Sequence, residues 1–185
     1  MLLSLRFLLS QKYTYRVNQH TVRPYAHWFS HQRSNASLFR VVAFPDVLPR
    51  HSSTFRIVQG NFMSLSSPKS FRDPNSSELG YDYIVTLFFI DTSLEVISTL
   101  KKIHDLLRPG GVWINLGPLL WTGGAKAKLE LSLEEVMSVV EEVGFQVLTD
   151  SPQLTRKTVE CEYTADKDAM MAWIYKAEFW VARKV

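Results

Sequence analysis

Asp91 is the residue whose place in the sequence most favours a chemical role. It follows an apolar run, Tyr81–Ile90 (YDYIVTLFFI), which predicts a strand buried on both faces, as in a parallel sheet. Ligands of open α/β sheets bind at the carboxyl ends of strands, where a carboxylate can orient an N–H group or accept its proton. Asp91 could instead cap the following helix together with Thr92, and the pattern favours neither role.

The histidines and the single cysteine give weaker signals. His27 and His31 are four residues apart, as metal ligands on a helix are, but the glutamate of HExxH and a third ligand are not evident. Their segment, PYAHWFSHQRSN, begins with proline and is aromatic, which favours a packed loop. Cys161 excludes an internal disulfide, and no histidine follows it, so we interpret it as structural. No metal site is therefore predicted.

Alternating strand and helix patterns predict an α/β fold with an open sheet. The predicted strands are Thr54–Gln59, Tyr81–Ile90, Val112–Leu116, Phe145–Leu148 and Glu178–Lys184, and the predicted helices are Leu2–Leu9, Thr92–Leu107 and Ser132–Val143. Thr92 or Ser93 is expected to cap the second helix, and Ser132 with Glu135 forms a capping box on the third. The turn Pro109–Gly111 is expected to end the second helix. Ser64–Glu78 is predicted to be a loop.

The composition is that of one globular domain. The chain has 185 residues, 46% of them hydrophobic and 21% charged, and no apolar run is long enough to span a bilayer. We predict a single, partial domain over residues 1–185, with a basic helix and loop segment at 1–40 and an α/β core at 41–185. The net charge is +3, and no acidic residue precedes Asp46.

Three interpretations of this basic start remain open: a mitochondrial presequence, a nucleic-acid patch, or a helix and loop with positive charges. One cysteine and no secretory signal favour a cytoplasmic or nuclear location, with mitochondria as an alternative.

Several motifs together resemble carnosine N-methyltransferase-like proteins. In chain order they are FPDV (44–47), GNF (60–62), FFIDT (88–92), LRPGGVWINLGPLLW (107–121), LSLEEV (131–136) and YTADKDAMMAWIYKAEFWVARK (163–184). The resemblance implies a Rossmann-like class I methyltransferase fold, whose seven-stranded sheet has an antiparallel last strand. It also implies transfer of a methyl group from S-adenosylmethionine to an imidazole nitrogen of carnosine, which gives anserine.

The resemblance also implies roles for particular residues. Asp91 matches the aspartate that contacts the imidazole, and Tyr163 and Tyr175 match tyrosines that enclose the dipeptide. Trp173 stands where a further tyrosine on the substrate side is seen. The cofactor-binding positions correspond to Asn61, Phe62 and Leu87.

Besides Trp173, the chain departs from the family pattern at Asn61, Leu87 and Thr122. Asn61 replaces an aspartate on the adenine side, although its side-chain oxygen can still accept a hydrogen bond. Leu87 replaces a cysteine beside the adenine, which should be tolerable. Thr122 stands in place of a substrate-binding histidine.

The first strands and the glycine-rich turn of the family have no counterpart in this sequence. Neither glycine pair, at 110–111 or 123–124, forms GxGxxG between a strand and a helix. Those family strands lie between the predicted Thr54 and Tyr81 strands, so we expect unpaired sheet edges, a fragment, or strands supplied by a partner.

Two alternatives to an active enzyme follow. The chain could be a methyltransferase-like protein without cofactor binding, or an RNA- or protein-binding module that uses its basic segment. The predicted partner is a small dipeptide, with no membrane and nucleic acid disfavoured. The oligomeric state is open, with a homodimer among the options.

Overall fold

A computed structural model describes residues 2–48, 54–68, 80–121, 126–163 and 166–185. Its helices and strands are α1 (Leu2–Leu9), β1 (His20–Val22), α2 (Asn35–Leu38), β2 (Val42–Phe44), β3 (Tyr81–Leu87), α3 (Val96–Leu106), β4 (Leu107–Gly117), α4 (Leu133–Glu142), β5 (Phe145–Val147), β6 (Lys157–Tyr163) and β7 (Trp173–Lys184). Short 3-10 helices lie at Phe62–Ser64 and Ile90–Thr92.

The chain forms two compact units. The first comprises Met1–Gly60 and Thr164–Trp173, and the second comprises Asn61–Tyr163 and Ile174–Val185. The predicted division at residue 41 stays a prediction.

The first unit contains a small antiparallel sheet in which β1 pairs with β2, with His20 opposite Phe44. The predicted helix Leu2–Leu9 is confirmed as α1. The pair of short strands was not predicted, because three-residue strands carry too few alternating positions to show a period.

The second unit contains a five-stranded mixed sheet. Along the strand order β3-β4-β7-β5, β3 and β4 are parallel, and β7 runs antiparallel to both β4 and β5. Strand β6 pairs with β7 off this path. The predicted α/β fold with an antiparallel last strand is therefore confirmed. The parallel β3–β4 step is connected by α3, as a crossover connection requires.

Two fully buried tryptophans form the centre of the core in this unit. The rings of Trp113 on β4 and Trp180 on β7 meet edge to face, with their centroids 5.4 Å apart. The helices add buried aliphatic side chains: Val96, Leu100 and Ile103 from α3, and Val136 and Val140 from α4. Each buried side chain of this size contributes roughly 1.5–3 kcal/mol relative to an exposed one.

A buried polar network joins three strands of the sheet. The Trp113 indole N–H donates to Thr86 Oγ1 at 2.7 Å, and the Thr86 hydroxyl donates to Asn115 Oδ1 at 2.8 Å. Asn115 Nδ2 in turn donates to the Glu178 carbonyl at 3.4 Å. Because buried polar groups without partners are costly, these bonds fix the register of β3, β4 and β7.

The prediction that Tyr81–Ile90 is a strand buried on both faces is wrong in two respects. Strand β3 ends at Leu87, and Tyr83, Val85 and Leu87 are 61%, 67% and 64% exposed. These three side chains lie on one face of β3, and no described segment covers that face.

Three further boundaries differ from the prediction. Residues 54–59 do not form a strand, since no described segment pairs with them through backbone hydrogen bonds. Helix α3 begins at Val96 with Glu95 as its N-cap, since the 3-10 helix Ile90–Thr92 uses the residues predicted to start it. The turn at 109–111 lies inside β4 rather than ending a helix.

Strand β6 was missed, and β7 is longer than predicted. By contrast, the capping box of Ser132 and Glu135 on α4 is confirmed.

Candidate functional site

The chain turns sharply where β3 ends. Phe88 follows the strand with a φ of +49°, in the left-handed region, and its N–H donates to the Leu116 carbonyl at 2.8 Å. A bulky side chain at positive φ is rare, and such strain concentrates at functional sites. The turn leads directly into the 3-10 helix Ile90–Thr92, which carries Asp91.

Asp91 is buried, with only 4% of the residue exposed. Its Oδ2 accepts the backbone N–H of Leu120 at 3.1 Å. Burial raises the pKa of the Asp91 carboxyl above its usual value, because the charged form loses its water, and hydrogen bonds from the Leu120 and Asp91 N–H groups oppose this shift. The N-cap of α3 is Glu95, so the interpretation of Asp91 as the cap of that helix is wrong.

The segment Phe88–Asp91 contacts three other segments of the second unit. The Phe88 ring lies edge to face with Tyr175 at 5.5 Å between centroids, and the Phe89 ring meets Phe62 in the same manner at 5.0 Å. Asp91 binds the backbone of Leu120, as described above. Two predicted residues, Phe62 and Tyr175, therefore contact the segment at the carboxyl end of β3 that carries the third, Asp91.

The remaining predicted cofactor residues are more exposed. Asn61 is an exposed residue that caps the 3-10 helix Phe62–Ser64, where its Oδ1 accepts the Met63 N–H at 3.0 Å. Leu87 immediately precedes the segment Phe88–Asp91 and is 64% exposed. The Asn61 oxygen keeps a second lone pair, so an adenine amine could still donate to it beside the Phe62 ring. The adenine-side roles of Asn61 and Leu87 stay predictions.

The structure describes the other predicted substrate residues only in part. Trp173 begins β7, belongs to the first unit and is 48% exposed. Tyr163 ends β6, but its side chain lies outside the described residues, as does Thr122. Their substrate roles stay predictions.

Sequence reasoning missed Phe88, Phe89 and Leu120. Phe88 and Phe89 lay inside the apolar run Tyr81–Ile90, and such a run does not show where its strand ends. Leu120 gave no signal, because it acts through its backbone N–H, which every residue except proline carries.

The part of the chain that the structure describes contains no group of three or more His, Cys, Asp and Glu residues placed to hold a metal. Among the same residues, no helix has the length and apolar character needed to cross a membrane.

Known protein sequences resemble the entire chain. A family model described as carnosine N-methyltransferase matches residues 1–185. The carnosine N-methyltransferase of Mus musculus is 35% identical over 191 residues, which cover 100% of this chain and 44% of the mouse protein. That of Schizosaccharomyces pombe is 32% identical and covers 99% of this chain and 50% of its own length. The chain thus spans half or less of these relatives.

Solved structures give more distant similarities. An S-adenosylmethionine-dependent methyltransferase from Methanosarcina mazei has a TM-score of 0.45 at 13% identity, covering 68% of this chain and 65% of its own. The N-methyltransferase NodS from Bradyrhizobium japonicum, solved with S-adenosyl-L-homocysteine, has a TM-score of 0.38 at 14% identity, covering 68% and 52%.

Proposed function

The chain belongs to the carnosine N-methyltransferase family, and from this premise we propose that it methylates an imidazole nitrogen of a histidine-containing dipeptide. The product from carnosine would be anserine, and the methyl donor would be S-adenosylmethionine. The observation that carries the proposal is the buried Asp91 carboxylate just past the carboxyl end of β3, in the segment whose Phe88 ring contacts Tyr175.

Asp91 has the properties that this reaction requires. A neutral imidazole attacks through the lone pair of one nitrogen, while its other nitrogen carries a proton. When bound, S-adenosylmethionine supplies a methyl group on a positively charged sulfur. As the new N–C bond forms and the C–S bond breaks, positive charge develops on the ring. The Asp91 carboxylate can hold the opposite N–H, stabilise that charge and accept the proton.

The environment of Asp91 strengthens this role. Burial raises the pKa of the carboxyl, so the carboxylate is a better proton acceptor than one in water. Tyr175, which packs on Phe88, would form one wall of the dipeptide site together with Tyr163. Aromatic faces attract cations, and this favours both the sulfonium and the developing imidazolium.

Replacement of Asp91 by asparagine tests this assignment. Asp91→Asn should lower the kcat for carnosine methylation about 100-fold or more, because the variant can neither accept the proton nor balance the charge. The dissociation constant for S-adenosylmethionine should stay within about twofold, since the role is confined to the substrate. A suitable protein is a chimera in which this chain replaces its matched region in the mouse relative.

The exposed Asp150 provides a matched control, because Asp150→Asn makes the same chemical change at the surface of the same unit. Equal losses of kcat and cofactor affinity in Asp91→Asn would contradict the proposed role.

One observation favours a second candidate, a methyltransferase-like protein that does not bind cofactor. Leu87, predicted to lie beside the adenine, is 64% exposed. Isothermal titration of the folded 185-residue chain with S-adenosylmethionine separates the two candidates. Micromolar binding would favour the enzyme, and no binding would favour the second candidate for this chain on its own.

A further inference from the structure

Arg40 holds the connection that joins β6 to β7. Its guanidinium pairs with Asp166 Oδ1 at 2.5 Å and with Asp168 Oδ2 at 3.2 Å. The same guanidinium lies over the Tyr25 ring, 3.8 Å from the centroid. All four residues belong to the first unit. A flat, stacked cation that engages two carboxylates is a geometry that lysine does not reproduce.

Further hydrogen bonds attach the same connection to the N-terminal part of the chain. Gln32 Nε2 donates to Asp166 Oδ2 at 3.0 Å, and the Met170 N–H donates to the His31 carbonyl at 2.7 Å. Gln32 and Ala169 also form an isolated antiparallel bridge. Residues 166–170 are therefore held by one ion-pair group and by backbone pairing.

Asp166 is the centre of this arrangement. Its side chain is 8% exposed, and both of its carboxylate oxygens accept bonds, from Arg40 and from Gln32. Asp166 Oδ1 also accepts the Asp168 N–H at 3.2 Å, which shapes the turn itself. The Arg40 guanidinium holds the pKa of Asp166 below its usual value, so the carboxylate stays charged at neutral pH.

We propose that Arg40, through Asp166, is a positioning residue that fixes the 166–173 connection and thereby sets the affinity for the dipeptide. The inference rests on the proposed function, because the two ends of the connection carry predicted substrate residues. Tyr163 ends β6, Trp173 begins β7, and Tyr175 follows two residues later. A fixed connection lowers the ordering cost that these side chains meet when a small ligand binds.

Hydrogen exchange on the full 185-residue chain tests the positioning directly. In Asp166→Asn, which is isosteric, the peptide containing residues 166–173 should exchange about tenfold faster, including the Met170 amide. Arg40→Gln should have the same effect, and Arg40→Lys should fall between Arg40→Gln and the unaltered chain. Arg33→Ala is the matched control: it removes a positive charge from an exposed site of the same unit and should leave this peptide unchanged.

Kinetics in the mouse chimera test the consequence for the substrate. Asp166→Asn should raise the KM for carnosine about five- to tenfold while kcat stays within about twofold, because the residue acts on binding and not on methyl transfer. The affinity for S-adenosylmethionine should be unchanged. A variant that merely lost stability would lower the active fraction, and so kcat, without this selective rise in KM.

The outcomes separate this inference from the proposed function. Faster exchange at 166–173 with a selective rise in KM supports the inference. Unchanged exchange in both Asp166→Asn and Arg40→Gln overturns it, as does faster exchange with an unchanged KM. If a folded, cofactor-binding unaltered chimera does not methylate carnosine, the proposed function fails, and the positioning of dipeptide-binding residues fails with it, whatever the exchange data show.

Discussion

At the scale of single residues, Asp91 is a carboxyl group whose charged form is disfavoured by burial. It is 4% exposed, and the Leu120 N–H only partly offsets the water that the charged form has lost. A residue of this kind lowers stability and is retained where activity needs it. Activity and stability should therefore respond to its replacement in opposite directions.

Asp91→Asn is expected to raise the free energy of unfolding at pH 7 by about 0.5–2 kcal/mol while it abolishes most activity. The asparagine is uncharged and can still accept the Leu120 N–H through its oxygen. Denaturant titration of the 185-residue chain measures the change, with Asp150→Asn as the surface control. A lower free energy of unfolding in Asp91→Asn would show that Asp91 stabilises the folded state.

The pH dependence follows from the sign of the same shift. The pKa of folded Asp91 is raised above the usual value of 3.8, so the folded state binds more protons than the unfolded state between these two pKa values. The contribution of Asp91 to stability therefore falls as pH rises through that window. The stability difference between Asp91→Asn and the unaltered chain should shrink as the pH approaches 3.8. If the stability difference stayed constant down to pH 3.8, the raised pKa of Asp91 would not be its cause.

Residues at the candidate site differ in how far the sequence could predict them. Asp91 was found because a carboxylate after an apolar strand is a local pattern. The contacts of Phe88 with Tyr175 and of Phe89 with Phe62 join residues far apart in sequence, so they depend on the completed fold. The exposed position of Leu87 depends on what covers β3, which no local pattern reports.

At the scale of elements, locally determined features were predicted best. The α4 helix begins where Ser132 and Glu135 satisfy each other's backbone N–H groups, and both partners lie within four residues. Strand β6 and the β1–β2 pair were missed, because each exists only through its pairing with a distant segment. The start of α3 was placed too early, since a 3-10 turn occupies the first predicted residues.

Ser132→Ala should destabilise the chain by about 1 kcal/mol, because the Glu135 N–H at the start of α4 then loses its side-chain acceptor. Ser138→Ala, on the exposed face of the same helix, should change stability by less than about 0.5 kcal/mol. Thermal unfolding of both variants provides the comparison. Equal effects would mean that the capping box contributes nothing measurable.

At the scale of the whole molecule, β3 is the strand of the described sheet with an unpaired edge and an uncovered apolar face. No described strand pairs with its outer edge, and Tyr83, Val85 and Leu87 present an apolar row. Edges of this type favour association between chains. The relatives are at least twice as long as this chain, so the activity of a whole protein is tested best in the chimera.

Val85→Lys should reduce concentration-dependent association of the 185-residue chain, measured by sedimentation velocity, and change stability by less than about 0.5 kcal/mol. Leu94→Lys is the control, because Leu94 is 51% exposed but lies outside β3. If both variants reduced association equally, the effect would come from net charge and not from the strand edge.

The most direct test of the central claim is methyl transfer from labelled S-adenosylmethionine to carnosine by the mouse chimera, with the methylated atom located by NMR. The account predicts a methyl group on an imidazole nitrogen, and loss of this product in Asp91→Asn while cofactor binding persists. A folded, cofactor-binding chimera that leaves the imidazole unmethylated, or that methylates it equally well as Asp91→Asn, would contradict the account.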